Sequence, residues 1–194
     1  MTAFEKVQDR LDLESIDPRT KASRAWFMKN VDTIKSGGNK RLLGDLKPTA
    51  QVRPGMMYLF FYGPKGRKTL PYYDTFPLIL LVDTHNDGMT GLNLHYLPIH
   101  LRQKLFYGLL NRVNSDEMNE DTYIKMTYNY LKGARSLKEY KPCFKKYLTK
   151  QIRGNIAHVP ANEWETAIHL PLASFKKESE TTVHRRSEEI IQRF

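Results

Sequence analysis

Cysteine is nearly absent from this chain: among 194 residues there is one, Cys143. No intrachain disulfide can form and no cysteine-based zinc cluster can be built, so a reducing cytosol, or a particle assembled there, is the expected setting. Long apolar runs are missing as well. The longest, Phe76 to Val82, has the length of a buried strand and falls short of the roughly 18–20 residues that cross a bilayer, so no membrane is expected as a partner. Met1 to Lys6 carry no apolar stretch of the kind that makes a secretory signal. Carboxylates are outnumbered, 21 against 31 Lys and Arg, for a net charge of +10. An excess of this size predicts attraction to polyanions, nucleic acid before anionic membrane; the bland alternative is a basic soluble protein that binds neither. What remains is ordinary globular usage, 40% hydrophobic and 27% charged, which argues against wholesale disorder and collagen-like or coiled-coil architectures. The length fits one domain, or one domain with long arms.

Residues 1–48 read as an N-terminal arm, partly helical and basic. Phe4, Val7, Leu11 and Leu13 recur at near-helical spacing before Asp17-Pro18. Thr20 to Lys35 carries Trp26, Phe27, Val31 and Ile34, and Ser36-Gly37-Gly38-Asn39 reads as a hinge or helix stop. From Arg19 to Lys47 eight cations face only Asp32 and Asp45. The segment is either an adhesive arm for a partner or for phosphates, or a solvated helix face with a mobile loop.

Residues 49–175 read as a barrel domain. Met56 to Tyr62 is a strand apolar on both faces, Gly63-Pro64-Lys65-Gly66 is dense turn chemistry, and Leu70 to Asp74 is a short element with two tyrosines. Phe76 to Asp83 is the most strand-like run, Asn86-Asp87-Gly88 a tight hairpin turn, and Met89 to Leu97 the returning strand. Short strands at close spacing point to a small antiparallel β-barrel, which removes most exposed edges. From about residue 99 to 153 the period becomes helical: His100 to Val113, Asn119 to Lys132 and Pro142 to Arg153. Ile156 to Val159 reads as a late strand, Trp164 to Phe175 as a strand or extended strap, and 176–194 as a polar C-terminal tail ending in a turn or two of helix from Glu188. The fold class expected is α+β.

Catalytic motifs are hard to find. Gly63 to Gly66 lacks the spacing of a phosphate loop. Asp83 to Gly88 resembles the start of a calcium loop, but His85 and Leu94 stand where oxygen ligands are needed. The six histidines, His85, His95, His100, His158, His169 and His184, fall in no zinc pattern and read as structural. Lys141 and Lys145 beside Cys143 would favour its thiolate, yet with no histidine partner in view it reads as a packing residue. Glu163, Glu165 and Asp74 could serve a two-metal nuclease, but neither segment adds a third acid and a lysine at suitable spacing. The expectation is therefore no enzyme, no cofactor and no metal.

Binding chemistry is better represented. Tyr72 and Tyr73 are either stacking platforms for bases or core residues, with the apolar runs on both sides favouring the core. The segment from Lys132 to Arg153 holds Lys132, Arg135, Lys138, Lys141, Lys145, Lys146, Lys150 and Arg153 against a single Glu139, interleaved with Tyr140, Phe144 and Tyr147. Lys138, Lys141 and Lys145 follow spacings of three and four and so share one face if helical. These eight are the candidate nucleic-acid contacts, meeting phosphates with little sequence reading; a solvated face is the rival.

Three stretches carry a resemblance. They are Pro54-Gly55 with Met57 to Tyr62, Leu70-Pro71-Tyr72-Tyr73-Asp74 with Phe76-Pro77-Leu78, and Gly91-Leu92-Asn93-Leu94-His95-Tyr96-Leu97-Pro98. Lys141-Pro142-Cys143 with Tyr147-Leu148, and Glu163-Trp164 with Leu170-Pro171, extend it over roughly residues 54 to 175. Together they resemble the DNA end protector proteins of T4-like tailed bacteriophages. The resemblance implies a minor virion protein near the head–tail vertex that holds or shields the genome terminus, assembled in the host cytoplasm, with no catalytic residues to carry over. The first hypothesis is accordingly a non-enzymatic virion protein with a small SH3-like β-barrel, a helical insertion and extended, partly helical arms. Its partners would be double-stranded DNA and neighbouring head, portal or neck and tail subunits. The rivals are an assembly connector that touches only protein, and a metal-dependent nuclease that processes genome ends.

Overall fold

The computed structural model describes residues 38–113 and 120–193, together with Asp9, Leu13 and Glu14. The helices expected from Phe4 to Leu13 and from Thr20 to Lys35 otherwise lie outside the described residues. Five helices are described: α1 (Gly38–Asp45), α2 (Ile99–Val113), α3 (Glu120–Ala134), α4 (Trp164–His169) and α5 (Glu180–Gln192). The strands are β1 (Pro48–Thr49), β2 (Met57–Tyr62), β3 (Tyr73–Asp74), β4 (Leu78–His85), β5 (Gly88–Asn93), β6 (Phe144–Leu148), β7 (Ile152–Val159) and β8 (Phe175–Lys176). Six of them form one antiparallel sheet in the order β1-β7-β2-β4-β5-β6, and β3 pairs with β8 separately. The protein is thus α+β.

Both faces of this sheet are buried, as the continuous apolar runs require. Met57 and Leu59 of β2 and Leu78, Leu80 and Val82 of β4 point to one side, where Leu105, Phe106 and Leu109 of α2, Leu131 of α3, Trp164 of α4 and Val183 of α5 cover them. Tyr58, Phe60, Tyr62, Ile79 and Leu81 alternate to the other side and meet Met89 and Tyr147. In a flat sheet β2 and β6, three positions apart, would be separated by roughly 14 Å. Instead the Tyr62 and Tyr147 rings lie 4.9 Å apart, and the Tyr62 hydroxyl accepts from the Leu148 amide at 3.2 Å. The sheet therefore curls until its far strand folds over β2. A single 3-10 turn, Thr149–Gln151, carries the chain from β6 into β7. Two glycines permit the close approaches. Gly55 (φ +92°) turns the chain into β2, and Gly88 packs its α-carbon against the Tyr147 carbonyl. Among the described residues no ladder joins β6 to β1 or β7, so the sheet keeps two edges and does not form the closed barrel expected.

Several local expectations change. Pro142 to Arg153 is not a helix. A 3-10 turn (Lys138–Cys143) holds Pro142, β6 follows directly, and Gly88 to Leu92 pair with Phe144 to Leu148. The unpaired edge of β5 needed partners for its amides, and that demand outweighs helix propensity. The helical insertion therefore ends before β6. Trp164 to His169 is a helix rather than a strap, and the strand role falls to Phe175–Lys176. The polar tail contains α5, capped by Ser179, whose hydroxyl accepts from the Thr182 amide at 3.1 Å. Val183 and Ser187 of that helix are buried. Gly38 and Asn39, expected at a hinge or helix stop, open α1, which places Leu42, with Leu46 just after it, in the core.

Candidate nucleic-acid interface

The site is assembled from the end of β2, the loop that follows it, β3, the 3-10 turn after β5 (Leu94–Tyr96) and β6. After Tyr62 the chain turns through Gly63 to Leu70, tied by Arg67 N to Pro64 O (3.2 Å) and Leu70 N to Gly66 O (2.9 Å). The Lys177 ammonium pins this loop from outside by donating to the carbonyls of Lys68 (2.9 Å) and Leu70 (2.6 Å). Lys177 takes φ 73° to do so. The loop returns to the body at β3, where Asp74 becomes a buried hub.

Asp74 is 3% exposed, and four donors converge on its carboxylate. The amides of Phe76 (2.9 Å) and Ser174 (3.2 Å) donate to Oδ1, while Asn93 Nδ2 (3.2 Å) and His95 Nδ1 (2.6 Å) sit at Oδ2. Burial alone would raise the Asp74 pKa, but facing His95 and these donors lower it, and the balance lies below the ordinary carboxylate value. His95 in turn leads to a second buried polar group. The Arg102 guanidinium, 4% exposed, donates to Leu97 O (2.7 Å) and to Glu180 of α5 (3.1 Å). His184 Nε2 donates to His95 O (2.9 Å). β3 and α5 are therefore fastened to one chain of polar contacts.

Above this floor lies a pocket of about 360 Å³. Five tyrosines line it, Tyr62, Tyr72, Tyr73, Tyr96 and Tyr147, with Lys145 and Lys146 at one wall. Tyr62, Tyr96 and Tyr147 are largely buried, whereas Tyr72 and Tyr73 are half-buried. Burial pushes the Tyr96 and Tyr147 hydroxyls well above their ordinary pKa, so both rings stay neutral. The Lys145 ammonium stands 4.2 Å from the centre of the Tyr96 ring, and burial lowers its pKa. Among the described residues it has no carboxylate within ion-pair distance. Lys146 is exposed and pairs with Asp87 at 3.0 Å. The loop whose Pro64 and Leu70 line the pocket also presents Lys65, Arg67 and Lys68 to solvent.

The eight cations expected at the interface divide. Lys145 and Lys146 line the pocket. Lys150 lies in the 3-10 turn after β6, and Arg153, opposite Phe61 in the β2–β7 ladder, lays its guanidinium against Gly63. Lys132, Arg135, Lys138 and Lys141 are exposed at the end of α3 and on the following turn, and none of them lines the pocket. Because Lys145 is on a strand, the shared helical face of Lys138, Lys141 and Lys145 does not exist. Sequence reasoning passed over Lys65, Arg67 and Lys68, although three cations in four residues of a turn was a legible signal. It also passed over Tyr62 and Tyr96, which only the curl of the sheet brings, together with Tyr147, beside Tyr72 and Tyr73.

Cys143 is fully buried and burial pushes its thiol far up, as suits a packing residue. Glu163 is buried beside Trp164, and Asp74 is saturated by its donors. Among the described residues no group of three or more His, Cys, Asp or Glu is placed to hold a metal ion. No described helix is long and apolar enough to cross a membrane.

Over residues 3–188 the sequence matches the family described as phage T4 terminal DNA protecting protein. No curated protein and no solved structure matches it.

Proposed function

We propose, from the premise that this chain belongs to the phage T4 terminal DNA protecting protein family, that it binds the end of duplex DNA and shields it sterically, without catalysing a reaction. The observation that carries this reading is the tyrosine-lined pocket walled by Lys145 and Lys146 and edged by the loop bearing Lys65, Arg67 and Lys68. Cations there meet backbone phosphates with release of counterions, and the folded body behind them occupies the space a processive nuclease needs. Lys150 and Arg153 extend the same charged end. The natural setting is the virion near the head–tail vertex, with head, portal or neck subunits as protein neighbours and the described basic surface turned to DNA. In fold terms we read the curled sheet as a partly open SH3-like barrel. The antiparallel β2-β4-β5-β6 path, the 3-10 turn and the return of β7 onto β2 support that reading.

The test is a pair of titrations with the full chain. Affinity for linear duplexes of unrelated sequence should fall linearly in log–log form with salt, with a slope near −0.9 per neutralised phosphate. Linear duplex should also outcompete a closed circle and resist a double-strand exonuclease once bound. Salt-insensitive binding, or equal competition by the circle, would remove the reading, and a protein-only connector would then be the better account.

A further inference from the structure

The pocket offers more than a charged surface needs. A cavity of about 360 Å³ lined by five tyrosines has room for one base against aromatic walls. Lys145 sharpens the point. Its ammonium is half-buried, faces only an aromatic ring at 4.2 Å and has no carboxylate partner among the described residues. A desolvated cation without a counterion is where an incoming anion gains most. The half-exposed Tyr72 and Tyr73, which line the same pocket, supply the apolar surface that bases stack on. The buried Asp74 cannot repel a phosphate strongly, because four donors already share its charge.

We infer that this pocket is a subsite for one unpaired nucleotide at the DNA terminus, its base against Tyr72 and Tyr73 and its phosphate on Lys145. The inference rests on the end-binding reading above and deepens it. The rim holds the duplex by charge, and the pocket takes the frayed or overhanging residue, so that a terminus differs from duplex interior in kind as well as in position.

The experiment measures binding of the full chain to a fluorescent DNA hairpin with a single open end. The end is blunt, or carries one extra nucleotide on the 5′ or on the 3′ strand. The overhang is expected to tighten binding about tenfold over the blunt end, the scale of one base stacked on an aromatic side chain, and the two overhang arms report which strand enters. Tyr73→Ala and, separately, Lys145→Gln should each bring the overhang-to-blunt ratio close to one, while Lys145→Arg keeps it well above one. Thermal melting verifies that each variant is folded, and Tyr72→Ala replaces Tyr73→Ala if the latter is not. Salt-dependent binding with a ratio of one in the parent protein overturns the subsite and leaves end shielding standing. An elevated ratio that survives both substitutions overturns it too, since the overhang is then read elsewhere. Absence of binding to every DNA would sink the function and the subsite together.

Discussion

Two basic regions of this molecule look alike in sequence and differ in kind. At the end of α3 and on the turn after it, Lys132, Arg135, Lys138 and Lys141 stand exposed on the surface. At the pocket, Lys145 is half-buried over Tyr96, Lys146 shares its wall, and Lys65, Arg67 and Lys68 crown the neighbouring loop. In the first set Lys132 stands 6.0 Å from the centre of the Tyr128 ring, but all four cations are exposed and none lines the tyrosine pocket. The second has charge beside aromatic surface, on a floor of fixed polar contacts. Solvated cations are screened beyond about 8–10 Å at ordinary salt and keep their hydration. A cation already stripped of water has little left to lose on meeting a phosphate. Burial and a place in the tyrosine-lined pocket, more than cation density, therefore distinguish the candidate site.

The largest expected effect comes from removing the floor. Asp74→Ala strands His95 and two backbone amides in the interior and should cost about 3–5 kcal/mol of stability by chemical denaturation, with DNA affinity lost as the pocket opens. Acid should act on the same group. The Asp74 pKa is lower in the folded than in the unfolded chain, so its stabilisation is present above about pH 4 and is lost as pH falls through the folded value. An Asp74→Asn variant should lack that part of the acid transition.

Next in size is a matched pair of triple variants. Lys65, Arg67 and Lys145 changed together to Gln should flatten the salt slope of DNA binding by about 2.7, the contribution of three phosphate contacts. Lys132, Arg135 and Lys138 changed in the same way should leave the slope nearly intact. Equal losses from the two sets would erase the distinction between the regions.

A smaller effect is expected at the strut behind the pocket. Glu180→Gln weakens the partner of buried Arg102 and should cost about 1 kcal/mol, modest because Glu180 is partly exposed. Burial, ahead of the opposing bond to His95 O, lowers the His184 pKa. That lowering makes α5 sensitive to mild acid, since the unfolded chain takes up a proton near pH 6.5 before the folded one does. Stability should decline from pH 7 towards pH 5, and His184→Gln should blunt the decline. Smallest of all is the exposed Lys146–Asp87 pair: Asp87→Asn should leave the melting temperature unchanged.

Much of the framework is written locally. Alternation in Met57 to Tyr62 and Leu78 to Val82 places one set of side chains on each face of the sheet whatever the topology, and Asn86-Asp87 closes the β4–β5 hairpin at His85 and Gly88. The helices α2 and α3 follow the spacing of Leu101, Leu105 and Leu109 and of Met126 and Tyr130. What local pattern misassigned was decided by distant partners. Phe144 to Leu148 is a strand because β5 offers it a ladder. Glu180 to Gln192 is a docked helix because Val183 and Ser187 are buried against the body and Arg102, 78 residues earlier, reaches Glu180.

The candidate site divides along the same line. Composition and spacing alone determined that the protein is cationic, has two-sided strands, and carries Tyr72, Tyr73 and Asp74 between turns, because charge and periodicity are properties of neighbours in the chain. Only the tertiary structure decided which cations matter and that five tyrosines from four segments share one pocket. The curl of the sheet, set by side chains packing across strands, brings together residues as far apart as Tyr62 and Tyr147, and no local signal records that distance.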